Sequence, residues 1–163
     1  FLFWILMETQ SMSKERASRT LVLGIGNCGR KDDGLGWKFI DFLKEQKIED
    51  LDLDYRYQLQ IEDAELISNY DRVIFVDATK EPTTDGFYLR PCSKVGMTEM
   101  TSHSLHPETV YSLCSAVYGK NLECLILGIE GKDWGLETGL SSEAESNLER
   151  AKRYFIAHLF VYL

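Results

Sequence analysis

The chain has 163 residues, with 44% hydrophobic residues to fill a core and 27% charged residues to cover it, which fits one domain of ordinary size. Its formal net charge of -8 opposes a phosphate backbone and excludes nucleic acid as an expected partner, whereas a basic peptide or protein surface would be attracted.

The first residues, Phe1 to Met7, are apolar but too few to span a bilayer. They lack a basic leader and a small-x-small cleavage pattern, so neither a signal peptide nor membrane insertion is expected. Residues 1–18 are read as a disordered tail, as an engineered remnant, or as the product of a start site placed upstream of Met7 or Met12. Residues 19–163 are read as a single α/β domain. Leu21 to Gly26 is an apolar run that stops at glycine, which predicts a buried strand. Gly34 to Gln46 carries Leu35, Phe39, Phe42 and Leu43 on one helical face. Leu53, Tyr55, Tyr57 and Leu59 alternate, which predicts a strand with all four on one side. Glu62 to Ser68 suits a short helix.

Val73 to Val76 then reads as a central strand with Asp77 at its end. Phe87 to Leu89 follows a turn without a helix of its own, so an antiparallel edge strand is expected. Pro107 opens a helix that runs to Tyr118, and Leu122 to Ile129 is another apolar strand. Ser142 to Phe160 is the last helix, with Ser142 and Glu145 as a capping pair and Leu148, Ala151, Phe155 and Leu159 as its apolar stripe. Strands alternating with helices imply a three-layer α/β sandwich: a mainly parallel twisted sheet of about five strands flanked by helices.

Cys28, Cys92, Cys114 and Cys124 make no C-x-x-C pair, so a closed zinc site has no local support. Cys114 and Cys124 sit among apolar residues and read as core fillers. Their number fits a reducing cytoplasm.

Sites in open parallel sheets form beyond the carboxyl ends of the strands, and three polar groups fall there. They are Asp32-Asp33 after the first strand, Asp77 after the central one, and His103 just before the Pro107 helix. Taken singly, each has an ordinary reading. An aspartate can cap the following helix, Asp77 can bind backbone N–H groups of a turn, and a loop histidine can be merely hydrated. Taken together, two carboxylates and an imidazole form a facial donor set for a divalent transition metal with positions left open. Gly24-x-Gly26-x-x-Gly29 has the spacing of a dinucleotide fingerprint, but the helix starts too late to receive a pyrophosphate and starts with two aspartates. No nucleotide cofactor is expected.

Gly24-Ile25-Gly26-Asn27 followed by Asp33-Gly34-Leu35-Gly36 resembles the opening motif of the nickel–iron hydrogenase maturation endopeptidases. Phe75-Val76-Asp77-Ala78 resembles their second motif, and Ser102-His103-Ser104-Leu105 with Pro107-Glu108-Thr109-Val110 their third. The likeness runs from Leu21 to Phe160. It implies a hydrolase that removes the C-terminal peptide from a hydrogenase large-subunit precursor once nickel has been inserted. By motif position, Asp33, Asp77 and His103 are implied as both catalytic and metal-binding residues. Asp32 precedes the first ligand position, and His106 is a possible substitute for His103. The implied nickel arrives with the precursor and acts as a Lewis acid or activates a water. A cytoplasmic protein, monomeric when free, is expected.

The segment Gln58-Leu59-Gln60-Ile61-Glu62-Asp63-Ala64 departs from the glycine-rich turn of many members. Its Gln-Leu-x-x-Glu pattern resembles the subgroup serving cytoplasmic bidirectional hydrogenases, and the segment is either a substrate-facing surface or a helix cap. A Cys28–His103 pair has nothing to orient it, and neither G-x-S-x-G nor H-E-x-x-H occurs. Two other function classes compete: a noncatalytic checkpoint protein that senses inserted metal, and a small nucleotide-binding protein.

Overall fold

The computed structural model describes residues 17–96 and 105–159. Five strands form one sheet: β1 (Thr20–Ile25), β2 (Leu51–Arg56), β3 (Arg72–Thr79), β4 (Phe87–Pro91) and β5 (Glu123–Glu130). Among the described residues four helices flank it: α1 (Leu35–Gln46), α2 (Asp63–Ser68), α3 (Pro107–Tyr118) and α4 (Ser142–Ala157), with a 3-10 turn at Lys31–Gly34 leading into α1. The strand order is β2-β1-β3-β5-β4. All neighbours are parallel except β4, which runs antiparallel to β5 at the edge.

Strand alternation builds two cores. Val22, Ile74, Val76, Leu125, Leu127 and Ile129 face α1 and α4. Leu21, Leu23, Ile25, Val73 and Phe75 face α2 and α3. Side chains such as Phe39, Phe75, Ile74 and Phe155 are fully enclosed, each worth about 1.5–3 kcal/mol of burial. Phe39 of α1 meets Phe155 of α4 edge-on, ring centres 5.3 Å apart, which locks those two helices together.

The alternating strand expected through Leu59 stops at Arg56. The Arg56 carbonyl accepts from Gly26 N–H and from Trp37 Nε1, both at 2.9 Å, and β1 has already ended, so no neighbouring strand remains to pair with. Beyond it Tyr57 is 69% exposed, while Leu59 is 3% exposed and belongs to the α2–α3 core rather than to the face holding Leu53 and Tyr55. Helix α4 also begins differently from the expected Ser142–Glu145 pair. Ser141 is the cap, its Oγ accepting from Ala144 N–H at 3.2 Å, because Ser141 is held there by a distant carboxylate described below. The helix ends at Ala157, short of Phe160, which lies outside the described residues.

Candidate functional site

From β1 the chain passes to α1 on one face, and from β2 it passes to α2 on the other. The strand order therefore reverses between β1 and β3, and such a switch point opens a crevice beyond the carboxyl ends of the two strands. Asp33, in the 3-10 turn after β1, and Asp77, near the end of β3, both line a cleft of ≈ 250 Å³ there. Arg30, Ala78, Lys80 and Trp134 complete its wall.

Close backbone packing brings Asp33 to this place. Gly26 adopts φ +143, and a Cβ there would stand 1.9 Å from the Asp33 carbonyl oxygen. Asn27 N–H donates to the same carbonyl at 3.1 Å. A Cβ on Gly36 would come within 2.5 Å of the carbonyl oxygens of both Ile25 and Val76. The first turn of α1 thus sits directly on the ends of β1 and β3. Gly26 and Gly36 are explained by this packing, whereas a Cβ on Gly29 would approach only the Asn27 side chain.

Neither Asp32 nor Asp33 caps α1: Gly34 precedes it and no side chain caps it. Asp32 instead is fully buried and reaches across to the segment after β5. Its carboxylate accepts from Lys132 N–H (2.7 Å), Asp133 N–H (2.8 Å), Ser141 N–H (2.7 Å) and Ser141 Oγ (2.7 Å). Burial pushes its pKa up, but these hydrogen bonds outweigh burial and hold it below the ordinary carboxylate value. Lys31 clasps the same segment, its N–H donating to the Glu137 carbonyl at 2.7 Å and its Nζ lying 3.1 Å from the Glu137 carboxylate. Lys31 and Asp32 hold the loop that carries Trp134, while the next residue, Asp33, faces the cleft. Trp134 packs over Gly131, where a Cβ would be 3.0 Å from the indole, and Lys80 Nζ lies 5.1 Å from its ring centre.

Asp77 is partly buried, opposite Gly128 of β5. Burial pushes its pKa up to about 7, with the Asp33 charge adding to the rise and the Ala78 N–H, donating at 2.8 Å, opposing it. Tyr88 carries no distinguishing signal in the sequence, since only the β4–β5 register reveals it. It pairs with Gly128, and a Cβ there would lie 2.3 Å from its ring. With no side chain in the way, the ring leans across β5. Its phenol pKa is raised, mainly by burial, with the Asp77 charge among the smaller causes.

His103 lies outside the described residues. His106 is exposed and precedes α3, its carbonyl accepting from Thr109 and Val110 N–H groups; it does not line the cleft. Among the described residues, no three His, Cys, Asp or Glu side chains are placed to hold a metal. Cys28 is half-buried against Gly34. Burial raises its thiol pKa, Lys38 opposes this, and Asp41 and Asp33 add to it. In the Gln58–Ala64 segment, buried Asp63 accepts from Gln60 N–H at 2.8 Å and from Arg56 Nε at 2.9 Å, so it serves the start of α2. Ile61 of the same segment is 67% exposed.

No family model matches the chain, and no curated protein matches it. Solved structures do. The chain is similar to the hydrogenase maturating endopeptidase HybD from Escherichia coli, at 21% identity and TM-score 0.68, over 88% of this chain and 93% of that one. It is similar to the [NiFe] hydrogenase maturation protease HycI from Thermococcus kodakarensis, at 26% identity and TM-score 0.65, over 96% and 97% of the two chains. A hydrogenase 2 maturation peptidase from Thaumarchaeota archaeon SCGC_AB-539-E09 aligns at 23% identity and TM-score 0.63, over 86% and 97%. The α/β fold described here is the fold of these endopeptidases.

Proposed function

We propose that this chain, which shares the fold of the hydrogenase maturation endopeptidases, removes the C-terminal peptide of a nickel–iron hydrogenase large-subunit precursor after nickel has been inserted. The observation that carries the reading is the meeting of Asp33 and Asp77 in one cleft at the sheet's switch point. Two carboxylate oxygens there suit a divalent cation presented by another molecule. Leu105, two residues after His103 in the chain, bridges to Leu59, which follows the carboxyl end of β2. His103 is assigned as the third donor by its position in the third motif.

In this reading the nickel belongs to the precursor, and Asp33, Asp77 and His103 engage it. Asp77, poised near pH 7, gives up its proton as the cation arrives, because an adjacent positive charge favours the ionised carboxylate. The held metal polarises the scissile carbonyl or activates the attacking water. Arg30, Lys80 and Trp134 form the wall against which the peptide lies. The protein acts in the cytoplasm and as a monomer when free. Among the described residues no helix is long and apolar enough to cross a membrane.

Cleavage of the matching precursor, with and without inserted nickel, tests this directly. Nickel-dependent loss of the tail is expected with the unaltered chain. A drop of at least about 100-fold is expected for Asp33→Ala, Asp77→Ala and His103→Ala, the scale on which a lost metal contact acts. Binding without cleavage by the unaltered chain would replace the endopeptidase by a noncatalytic metal checkpoint, and full activity in all three variants would remove the assigned site.

A further inference from the structure

Three of the four cysteines gather far from the cleft, on the sheet face covered by α2 and α3. Cys124 opens the apolar part of β5, Cys114 lies on α3, and Cys92 follows the last residue of β4; all three pack in or against the same core. The ordinary reading makes them small core fillers, and it accounts well for Cys114, which is wholly enclosed. It accounts less well for Cys92, which remains half-buried at the end of an edge strand.

The β4–β5 register, continued by one residue beyond Pro91↔Leu125, sets Cys92 opposite Cys124. Cys92 N–H donates to the Cys124 carbonyl at 2.9 Å, so the two are cross-strand partners whose side chains leave the same face of the sheet. Opposed residues of a hydrogen-bonded antiparallel pair have Cα atoms about 5.5 Å apart, inside the span of about 4.4–6.8 Å that a disulfide bridges. The Cα separation expected of such a pair therefore suits a disulfide.

The geometry points to a thiol–disulfide exchange site at Cys92 and Cys124, taking small disulfides of the glutathione class as its oxidant. Cys92, the more accessible thiol, loses its proton to water and attacks one sulfur of the small disulfide. That S–S bond breaks, and the first thiolate leaves and takes up a proton from water. Cys124 then attacks the Cys92 sulfur, the mixed disulfide breaks, and the second small thiol departs with the Cys124 proton. Two protein thiols are oxidised and one external disulfide is reduced to two thiols. The bond staples the end of β4 to the start of β5 across the segment that carries α3. A reducing glutathione pool reverses it. This site stands independently of the peptidase reading.

The experiment is equilibration of the full chain with glutathione and glutathione disulfide at graded ratios, alkylation of remaining thiols, and non-reducing peptide mapping. Two of the four thiols should become protected, in a peptide linking Cys92 to Cys124, and should return fully on treatment with dithiothreitol. Cys124→Ala should instead trap glutathione on Cys92, a gain visible in the intact mass. Should that variant fail to fold, Cys114→Ala must still form the Cys92–Cys124 link. A link involving Cys114 or Cys28 in place of the pair, glutathione left on Cys92 of the unaltered chain, or four alkylatable thiols at every ratio would each overturn the inference.

Discussion

Two neighbouring aspartates show how one residue's step along the chain separates architecture from chemistry. Asp32 has four donors and no solvent, while Asp33 borders a cleft. Asp32→Ala leaves those donors buried and unpaired and is expected to cost about 3–5 kcal/mol by urea denaturation. Ser141→Ala removes one of those donors and the α4 cap together, at about 1–2 kcal/mol. Because the two side chains touch, the double variant should lose less than the sum, which a double-mutant cycle will measure. Asp77 behaves oppositely. Its folded pKa lies above that of an unfolded aspartate, so the folded state binds the extra proton and loses stability as pH rises from about 4 to about 7. Asp77→Asn, which keeps an acceptor for Ala78 N–H, should therefore stabilise the metal-free protein by up to about 4 kcal/mol at pH 8, and much less near pH 4. An equal effect at both pH values would show that Asp77 is not held near pH 7.

At the scale of elements, the tight approach of α1 to the strand ends governs where Asp33 can be. Gly26→Ala puts a methyl into the Asp33 carbonyl at a φ that disfavours side chains, and Gly36→Ala drives one into two strand carbonyls. Each is expected to destabilise by about 2–4 kcal/mol and to impair cleavage beyond what the lost stability explains. Urea midpoints set beside cleavage rates at matched folded fraction will separate the two effects. The short strand β2 illustrates the converse. Its period-2 pattern continues through Leu59 in the sequence, but a strand lasts only as long as a neighbour pairs with it, and β1 ends at Ile25.

Across the whole molecule, opposing carboxylates shape the response to pH. Asp32 is held below its ordinary value, and Glu130 is held down to about 2 by the hydrogen bonds of Lys132 and then of the Thr83 hydroxyl and N–H. Depressed carboxylates contribute stability above their unfolded pKa and lose it as pH falls toward their folded value. Asp77 works in the other direction between about pH 4 and 7. Thermal midpoints of the metal-free chain should accordingly be highest near pH 5, fall below about pH 3, and decline modestly toward pH 8. A midpoint still rising from pH 5 to pH 8 would mean that Asp77 does not dominate that range.

The sequence by itself determined the order and kind of nearly every element, because apolar spacing reports directly which face of a strand or helix is turned from water. It also determined that β4 is an antiparallel edge, since no crossover helix follows β3, and it marked Asp33 and Asp77 as strand-end carboxylates. Only the tertiary structure decided that these two line one cleft, that Asp32 binds a loop about a hundred residues away in the chain rather than capping α1, and that Ser141 rather than Ser142 starts α4. It also set Tyr88 across Gly128 from Asp77, and Cys92 opposite Cys124. The reason is the same in each case. These contacts join residues whose separation along the chain carries no period, so they follow from which strands pair, in which register, and from where a missing side chain lets one backbone close on another.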